Sequence, residues 1–366
     1  MARKRRSRGE GSLYFLESKG LWVSNITLPD GTRKVKYGKL QKNVRNYHLE
    51  ALNQLRKGML PTNDKITLGE FLTSYMETVG KNILRPRTQE MYNSLFNVHT
   101  IPSLGKIRLA QLGPDHLQNF YSQKLKGGLS RRTVQLLHST MRTALKQAVT
   151  WGYIQKNVCS LVQAPRPIKK APAFFNQEQL TTLLQAVKGH RWYLVYLLLV
   201  YGGFREGEVL GIHVEDCDMV NRAINVRHQI VTLKGGLVIT EPKTESSKRV
   251  VTLPQTVFGE LQKHLEQLNK KQGLIFTTSS GKPISPRNFI RHFKQVLKEC
   301  GLPDLTVHGI RHSHASLLLA SGVNPKIVQE RLGHSTIALT LDTYSHVIPS
   351  LQDEVAKKFD QIMAAV

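Results

Sequence analysis

Thr306-Val307-His308-Gly309-Ile310-Arg311-His312-Ser313-His314-Ala315-Ser316 decides how this chain is read. Residues 306–320 have helical apolar spacing, and no Pro interrupts them. On a helix His308, Arg311 and His312 stand at i, i+3 and i+4, so they share one face. Asn324-Pro325 then sets an N-cap residue before a Pro at the first helical position. That opens a short helix ending at Gly333, and His334 follows directly. Tyr344 comes about ten residues later, in a polar segment before Ile348-Pro349.

Arg and His on one face suit a multiply charged oxygen anion. Arg is always ionised and offers a fork of donors. His adds a donor that can pass a proton near neutral pH. A downstream Tyr can act as nucleophile if a neighbour takes its proton, because a phenol ordinarily ionises near pH ~10. The set fits phosphate chemistry with a covalent phosphotyrosyl step. The plain alternative is that the Arg and His are surface groups and Tyr344 is packing. A zinc helix on His308, His312 and His314 is disfavoured: Arg311 would repel a divalent cation, and the His-Glu-x-x-His pattern is absent.

Two further boxes stand beside the first: Glu330-Arg331-Leu332-Gly333-His334-Ser335 and Thr340-Leu341-Asp342-Thr343-Tyr344-Ser345-His346. In this order the three resemble the C-terminal signature of the tyrosine recombinases, the phage-integrase family. His312, His314 and His346 match those surroundings without a role that their chemistry supplies.

Composition agrees with a polyanionic partner. The 366 residues allow two or three domains. Lys and Arg number 52 against 26 acidic residues, a net charge of +26, which points to nucleic acid. A membrane surface is the competing polyanion, but no apolar run has transmembrane length and no signal-peptide core follows the basic N-terminus. Cys159, Cys217 and Cys300 are scattered and read as reduced thiols of a cytoplasmic protein, and the resemblance implies association with the bacterial nucleoid.

The fold class expected is α+β and mainly helical. Residues 1–60 carry a basic tail with Arg3, Lys4, Arg5 and Arg6, three short strands, and a helix from Lys42 to about Lys57. Pro29-Asp30-Gly31 supplies one hairpin turn. Arg33, Lys34 and Lys36 cluster on the last strand. This stretch resembles the arm-binding domain of phage-type integrases. Residues 61–165 read as a helical bundle with helices at 68–79, 87–98, 114–125 and 131–150, broken by Gly80, Pro102, Gly105, Gly113-Pro114 and Gly127-Gly128. Thr67-x-x-Glu70 makes a capping box and Ser130 an N-cap. Arg87, Arg131 and Arg132 mark its polar surface. The bundle resembles the family's core-binding domain. A Pro- and Lys-rich linker at 164–172 leads into a mixed α/β domain at 172–366, the resemblance's catalytic domain.

In that last domain Trp192–Tyr201 is a buried helix broken by Gly202-Gly203, which delivers Arg205 to a cleft edge. Glu208, three residues on, can pair with Arg205 or hold another charge. The stretch resembles the family's first Arg box. Residues 223–233, 237–241 and 249–253 read as one antiparallel sheet. Its turn Pro242-Lys243-Thr244-Glu245-Ser246-Ser247-Lys248 resembles the hairpin of the catalytic lysine, with Lys243 in that place. Lys248 and Arg249 remain alternatives as simple phosphate contacts. A terminal helix over 351–363 carries Val355, Phe359 and Ile362 as one apolar stripe, docking on its own core or on a neighbour.

The resemblance implies site-specific recombination through a covalent 3′-phosphotyrosyl bond, with Arg205, Lys243, His308, Arg311, His334 and Tyr344 catalytic and Glu208 in support. It implies no metal and no cofactor, duplex attachment sites as substrate, a homotetramer on two duplexes, and a directionality factor or DNA-bending host protein as accessory partners. A mobile-element integrase is the first reading. A housekeeping resolvase of chromosome dimers and a non-cleaving DNA-binding regulator are the alternatives. The charge alone makes one prediction: affinity for duplex DNA falls on the order of a thousandfold between about 50 and 200 mM salt, through counterion release. A flat salt response in a filter-binding titration contradicts the phosphate-contact reading.

Overall fold

The computed structural model describes residues 11–28, 31, 33–56, 66–167, 173–242, 244–344 and 351–364. The chain divides into two compact units, Met1–Lys169 and Lys170–Val366.

In the first unit β1 (Ser12–Leu16), β2 (Leu21–Thr27) and β3 (Arg33–Gly38) form an antiparallel sheet in that order. α1 (Gln41–Arg56) lies on it through buried Val44 and Ala51, and His48 Nδ1 meets Ser24 Oγ at 2.8 Å. The Pro29-Asp30 part of the expected turn, residues 57–65 and the basic tail lie outside the described residues.

The bundle opens on the expected capping box. Thr67 Oγ1 accepts from the Glu70 N–H, and Glu70 Oε2 accepts from the Thr67 N–H at 2.8 Å. α2 (Leu68–Tyr75) passes through a π-helical turn into α3 (Lys81–Ile83). α4 (Pro86–Ser94) does the same into α5 (Ile101–Leu104). The chain therefore stays helical through Gly80 and Pro102, where local propensity alone ends it. Burial of Tyr75, Met76, Phe96 and Thr100 holds these turns. In the second turn the Ile101 N–H reaches back to Phe96 O, and Pro102 falls in the first turn of α5, where no N–H is needed. α6 (Pro114–Lys126) and α7 (Arg131–Thr150) close the core with Leu117, Phe120 and Tyr121 against Val134, Leu137, Met141 and Leu145. Ser130 Oγ caps α7 by accepting from the Thr133 N–H.

The second unit is built on α9. α8 (Gln177–Ala186) carries a capping box from Asn176, and α9 (Tyr193–Gly202) is buried nearly all round. α10 (Glu206–Leu210) follows. β4 (Cys217–Asp218), β5 (Ala223–Val226), β6 (Gln229–Leu233), β7 (Gly236–Thr240) and β8 (Arg249–Thr252) make two sheets, β4-β5-β8 and the hairpin β6-β7. The single strand expected over 223–233 is thus split at Arg227-His228, where His228 Nδ1 turns to Asp216 Oδ2 at 3.1 Å. α11 (Gln255–Leu268) and α12 (Pro286–Glu299) give Leu261, Phe289 and Phe293 to the core around α9. α13 (Val307–Ala320), capped by Thr306, adds Ile310 and packs on α14 (Pro325–Leu332) through Ala315, Leu319, Val328 and Leu332. α15 (Ile337–Tyr344) ends on Tyr344, and its buried Thr340 is taken up by the His334 ring. α16 (Leu351–Ala364) leaves Val355, Phe359 and Ile362 exposed, so its own core does not cover the stripe. Among the described residues no helix is long and apolar enough to cross a membrane.

Thr67→Ala removes one half of the capping box. The expected loss is about 1 kcal/mol of stability, read by urea denaturation of the full chain with the bundle's Trp151 as probe.

Candidate active site

The site begins where α9 ends. Gly203 closes the helix at φ 63°, and its carbonyl accepts from Arg311 Nη1 at 2.8 Å. A Cβ at Gly203 would stand 2.5 Å from His314 Cδ2, so only glycine lets this backbone approach α13. Arg311 is fully buried, and its Nη2 donates to Leu332 O. Its two carbonyl bonds tie the end of α9 to the end of α14 and fix the guanidinium plane.

Arg205 is the N-cap of α10, and its N–H donates to Glu208 Oε2 at 2.9 Å. Its Nη1 donates to Glu208 Oε1 at 2.6 Å. The same carboxylate receives Arg249, Nη2 to Oε2 at 2.9 Å and Nη1 to Oε1 at 3.2 Å. Burial pushes the Glu208 pKa up, but Arg249 and then Arg205 outweigh it and hold it at about 2. Arg249 is itself buried, with its Nε on Arg331 O at 2.7 Å, so it is a part of the scaffold and not a phosphate contact. Lys248 is partly exposed and pairs with Glu241 and Glu245 at 3.0 and 3.3 Å.

Arg331 reaches three elements: Tyr201 O at 2.9 Å, Thr252 O at 3.2 Å and His314 Nε2 at 3.2 Å. His314 Nδ1 donates to Val200 O at 2.9 Å, which leaves Nε2 as the acceptor Arg331 needs. Burial and Arg331 push this ring down to about 4, so it is neutral and structural.

Around Arg311 stand the remaining imidazoles. His308 and His312 meet edge to face, 4.7 Å between centroids. Burial, His312, Arg311 and Arg205 push His308 down to about 4. His334 Nδ1 lies 2.9 Å from Thr340 Oγ1, and burial with Arg311, Arg205 and His308 pushes the ring to about 3. Gly333, at φ 67°, sets His334 against the β7–β8 connection: a Cβ there would be 2.7 Å from Ser246 O. Thr244 Oγ1 lies 2.9 Å from both Ser246 Oγ and Ser247 Oγ in that turn.

Arg205, His308, Arg311 and His334 are thus brought together from segments up to 129 residues apart. Tyr344 is the last residue of α15, which packs on α13 and α14. Lys243 and His346 lie outside the described residues, as do Arg3, Lys4, Arg5 and Arg6. In the first unit Arg33 and Lys36 are exposed and Lys34 half-buried on β3. Arg87 is exposed near the start of α4, and Arg131 and Arg132 on the first turn of α7. The sequence reading gave Arg249 only as a phosphate contact and His314 no role, and it singled out neither Arg331 nor Thr340. Arg331 and Thr340 stand inside quoted boxes, but nothing local announces their partners.

Residues 173–350 match the phage integrase family, and residues 67–125 match the phage integrase N-terminal SAM-like domain. This chain belongs to the phage integrase family. It is a tyrosine-type site-specific recombinase. A tyrosine recombinase XerC-like protein of Caldanaerobacter subterraneus subsp. tengcongensis is 28% identical, over 90% of this chain and 92% of its own length. The integrase of Streptomyces ambofaciens is also 28% identical, with 93% of each covered, and the ICEBs1 integrase of Bacillus subtilis 26%, with 76% of this chain and 79% of its own. The fold is shared with the Tn1549 transposon integrase solved with a circular intermediate DNA, at TM-score 0.71 and 22% identity over 80% of this chain and 99% of that one. It is shared too with a lambda integrase dimer on a core site, at TM-score 0.59 and 18% identity over 93% and 96%.

The histidines pushed furthest down, His308, His314 and His334, contribute to the recombinase's response to acid. Each is neutral when folded and protonates near pH ~6.5 when unfolded, so the unfolded chain binds more protons below that point. Stability is fully present above pH ~6.5 and falls as the pH drops toward the folded values near 4 and 3. Urea midpoints at pH 7.5 and pH 5 test this. A lower midpoint at pH 5 is expected, and equal midpoints contradict the neutral imidazoles.

Proposed function

We propose that this chain is the integrase of a mobile element, and that Tyr344 is its nucleophile. The observation that carries the reading is the convergence of Arg205, Arg311, His308 and His334 beside the helix that ends in Tyr344. Tyr344 attacks the scissile phosphate, forms a 3′-phosphotyrosyl bond and releases a 5′-hydroxyl. The 5′-hydroxyl of a partner strand later attacks that bond and frees the tyrosine. The phosphoester energy stays in the protein–DNA link, so no ATP is consumed.

The roles follow from charge. The pentavalent transition state spreads negative charge over its non-bridging oxygens. Arg205 and Arg311 meet these with charge-assisted hydrogen bonds, Arg311 from a plane already set by two carbonyls. Thr340 donating into His334 Nδ1 leaves Nε2–H to donate to the phosphate. His308, neutral at physiological pH, accepts the tyrosine proton or supports the charge. Lys243 supplies the proton to the leaving 5′-oxygen. Glu208 holds Arg205 in place and does no chemistry itself.

We assign residues 1–60 to arm-site contact, 61–165 to the core-site clamp and 172–366 to catalysis. Arg131 and Arg132 support the clamp: cations on the first turn of a helix oppose its dipole, so they serve an anion rather than the helix. Lambda integrase has been solved as a tetramer on a Holliday junction, and four copies on two duplexes is the assembly proposed here. The exposed stripe of α16 then docks on a neighbouring copy. One relative is named XerC-like, which favours chromosome-dimer resolution as the second reading. The sheet module β1–β3 with α1 ahead of the bundle favours the integrase, because bridging arm and core sites needs two DNA-binding modules.

The test uses DNA flanking the protein's own gene, nicked so that the 5′-hydroxyl fragment diffuses away. Wild type is expected to leave a covalently shifted band on a denaturing gel. Tyr344→Phe is expected to bind the same DNA equally well and give no band. A band from the Phe variant removes Tyr344 as nucleophile.

A further inference from the structure

The link from α10 to β4 and the corner between β5 and β6 bring three potential ligands together: His213, Asp216 and His228. One ligating atom from each lies within 4.8 Å of the other two. Asp216 is buried, and its Oδ2 stands 3.1 Å from His228 Nδ1 and 3.8 Å from His213 Nδ1. Donor atoms held tetrahedrally about 2.0–2.1 Å from a zinc ion are roughly 3.3 Å apart, and these two distances bracket that value. The imidazoles are tilted 53° with centroids 4.4 Å apart, so both nitrogens face one carboxylate instead of stacking flat.

The cluster holds one buried carboxylate and two imidazoles. Glu215, next to Asp216 in the chain, is exposed, and its Oε2 accepts from the Gly273 N–H at 2.9 Å, so it adds negative charge nearby without being a ligand. Arg311, which argues against a metal at His308 and His312, is not part of this cluster. Cys217 is not part of the cluster: its Sγ turns to His213 O at 3.6 Å.

We propose that His213, Asp216 and His228 bind one divalent transition-metal ion of the zinc class, with water completing the shell. Two imidazoles and one carboxylate suit a borderline cation and disfavour calcium or magnesium, which take all-oxygen shells. Binding exchanges the His213 Nδ1–H bond to Gly211 O and the His228 Nδ1–H bond to Asp216 for metal–nitrogen bonds. The imidazole proton moves to Nε2 in each ring, so neutral rings release no net proton. The ion fastens the segment after α10 to the root of the β6–β7 hairpin. Its role is structural and separate from the phosphate chemistry.

Zinc sulfate titrated into chelator-stripped full-length protein, in competition with a chromophoric chelator, tests this. Wild type is expected to take up one equivalent, and His228→Gln to bind at least tenfold more weakly. His228 is partly exposed and outside the apolar core, so this variant keeps its fold. Zinc is also expected to raise the melting temperature of wild type and not of His228→Gln. Equal binding by the two proteins overturns the site, as does tight binding that His312→Gln abolishes and His228→Gln leaves intact.

Discussion

Bringing Arg205, Arg249, Arg311 and Arg331 into one part of a fold sets like charges where water screens them poorly. Glu208 is the counter-charge that makes this tolerable. Its carboxylate takes both guanidiniums at once, Arg205 on one side and Arg249 on the other. The low pKa of about 2 measures how far that attraction exceeds the cost of burial. Arg205 keeps part of its surface open while Arg249 does not. One acid therefore anchors one Arg in the scaffold and aims the other.

The remaining cations are balanced by backbone carbonyls, not acids. Arg311 rests on Gly203 O and Leu332 O, and Arg331 on Tyr201 O and Thr252 O. These carbonyls belong to helix ends and a strand, where the backbone has acceptors to spare. The two positive-φ glycines, Gly203 and Gly333, let that backbone come close. A site stabilised by dipoles keeps its net positive charge. Burial, together with that charge, keeps His308 and His334 neutral.

Much of this was legible before any coordinates. Thr67, Ser130 and Asn324 each cap the helix that their side chains announce. The spacing of His308, Arg311 and His312 gave a shared helix, and the three boxes gave the chemistry. The π-helical turns through Gly80 and Pro102 and the split at Arg227-His228 depart from the local reading. Burial in the bundle core holds the turns, and the bond from His228 to Asp216 marks the split.

The sequence by itself determined the capped helix starts, the family signature, the excess of positive charge and the residue types of the site. Those properties are local or summed, and short-range sterics and charge counting suffice for them. Only the tertiary structure decided that Glu208 is shared with Arg249, that Arg331 joins α9, β8 and α13, and that His213 and Asp216 meet His228. Pairings across tens of residues depend on how buried surfaces close on one another. No local pattern in a chain encodes that closure, because many partners of the same charge are available along its length.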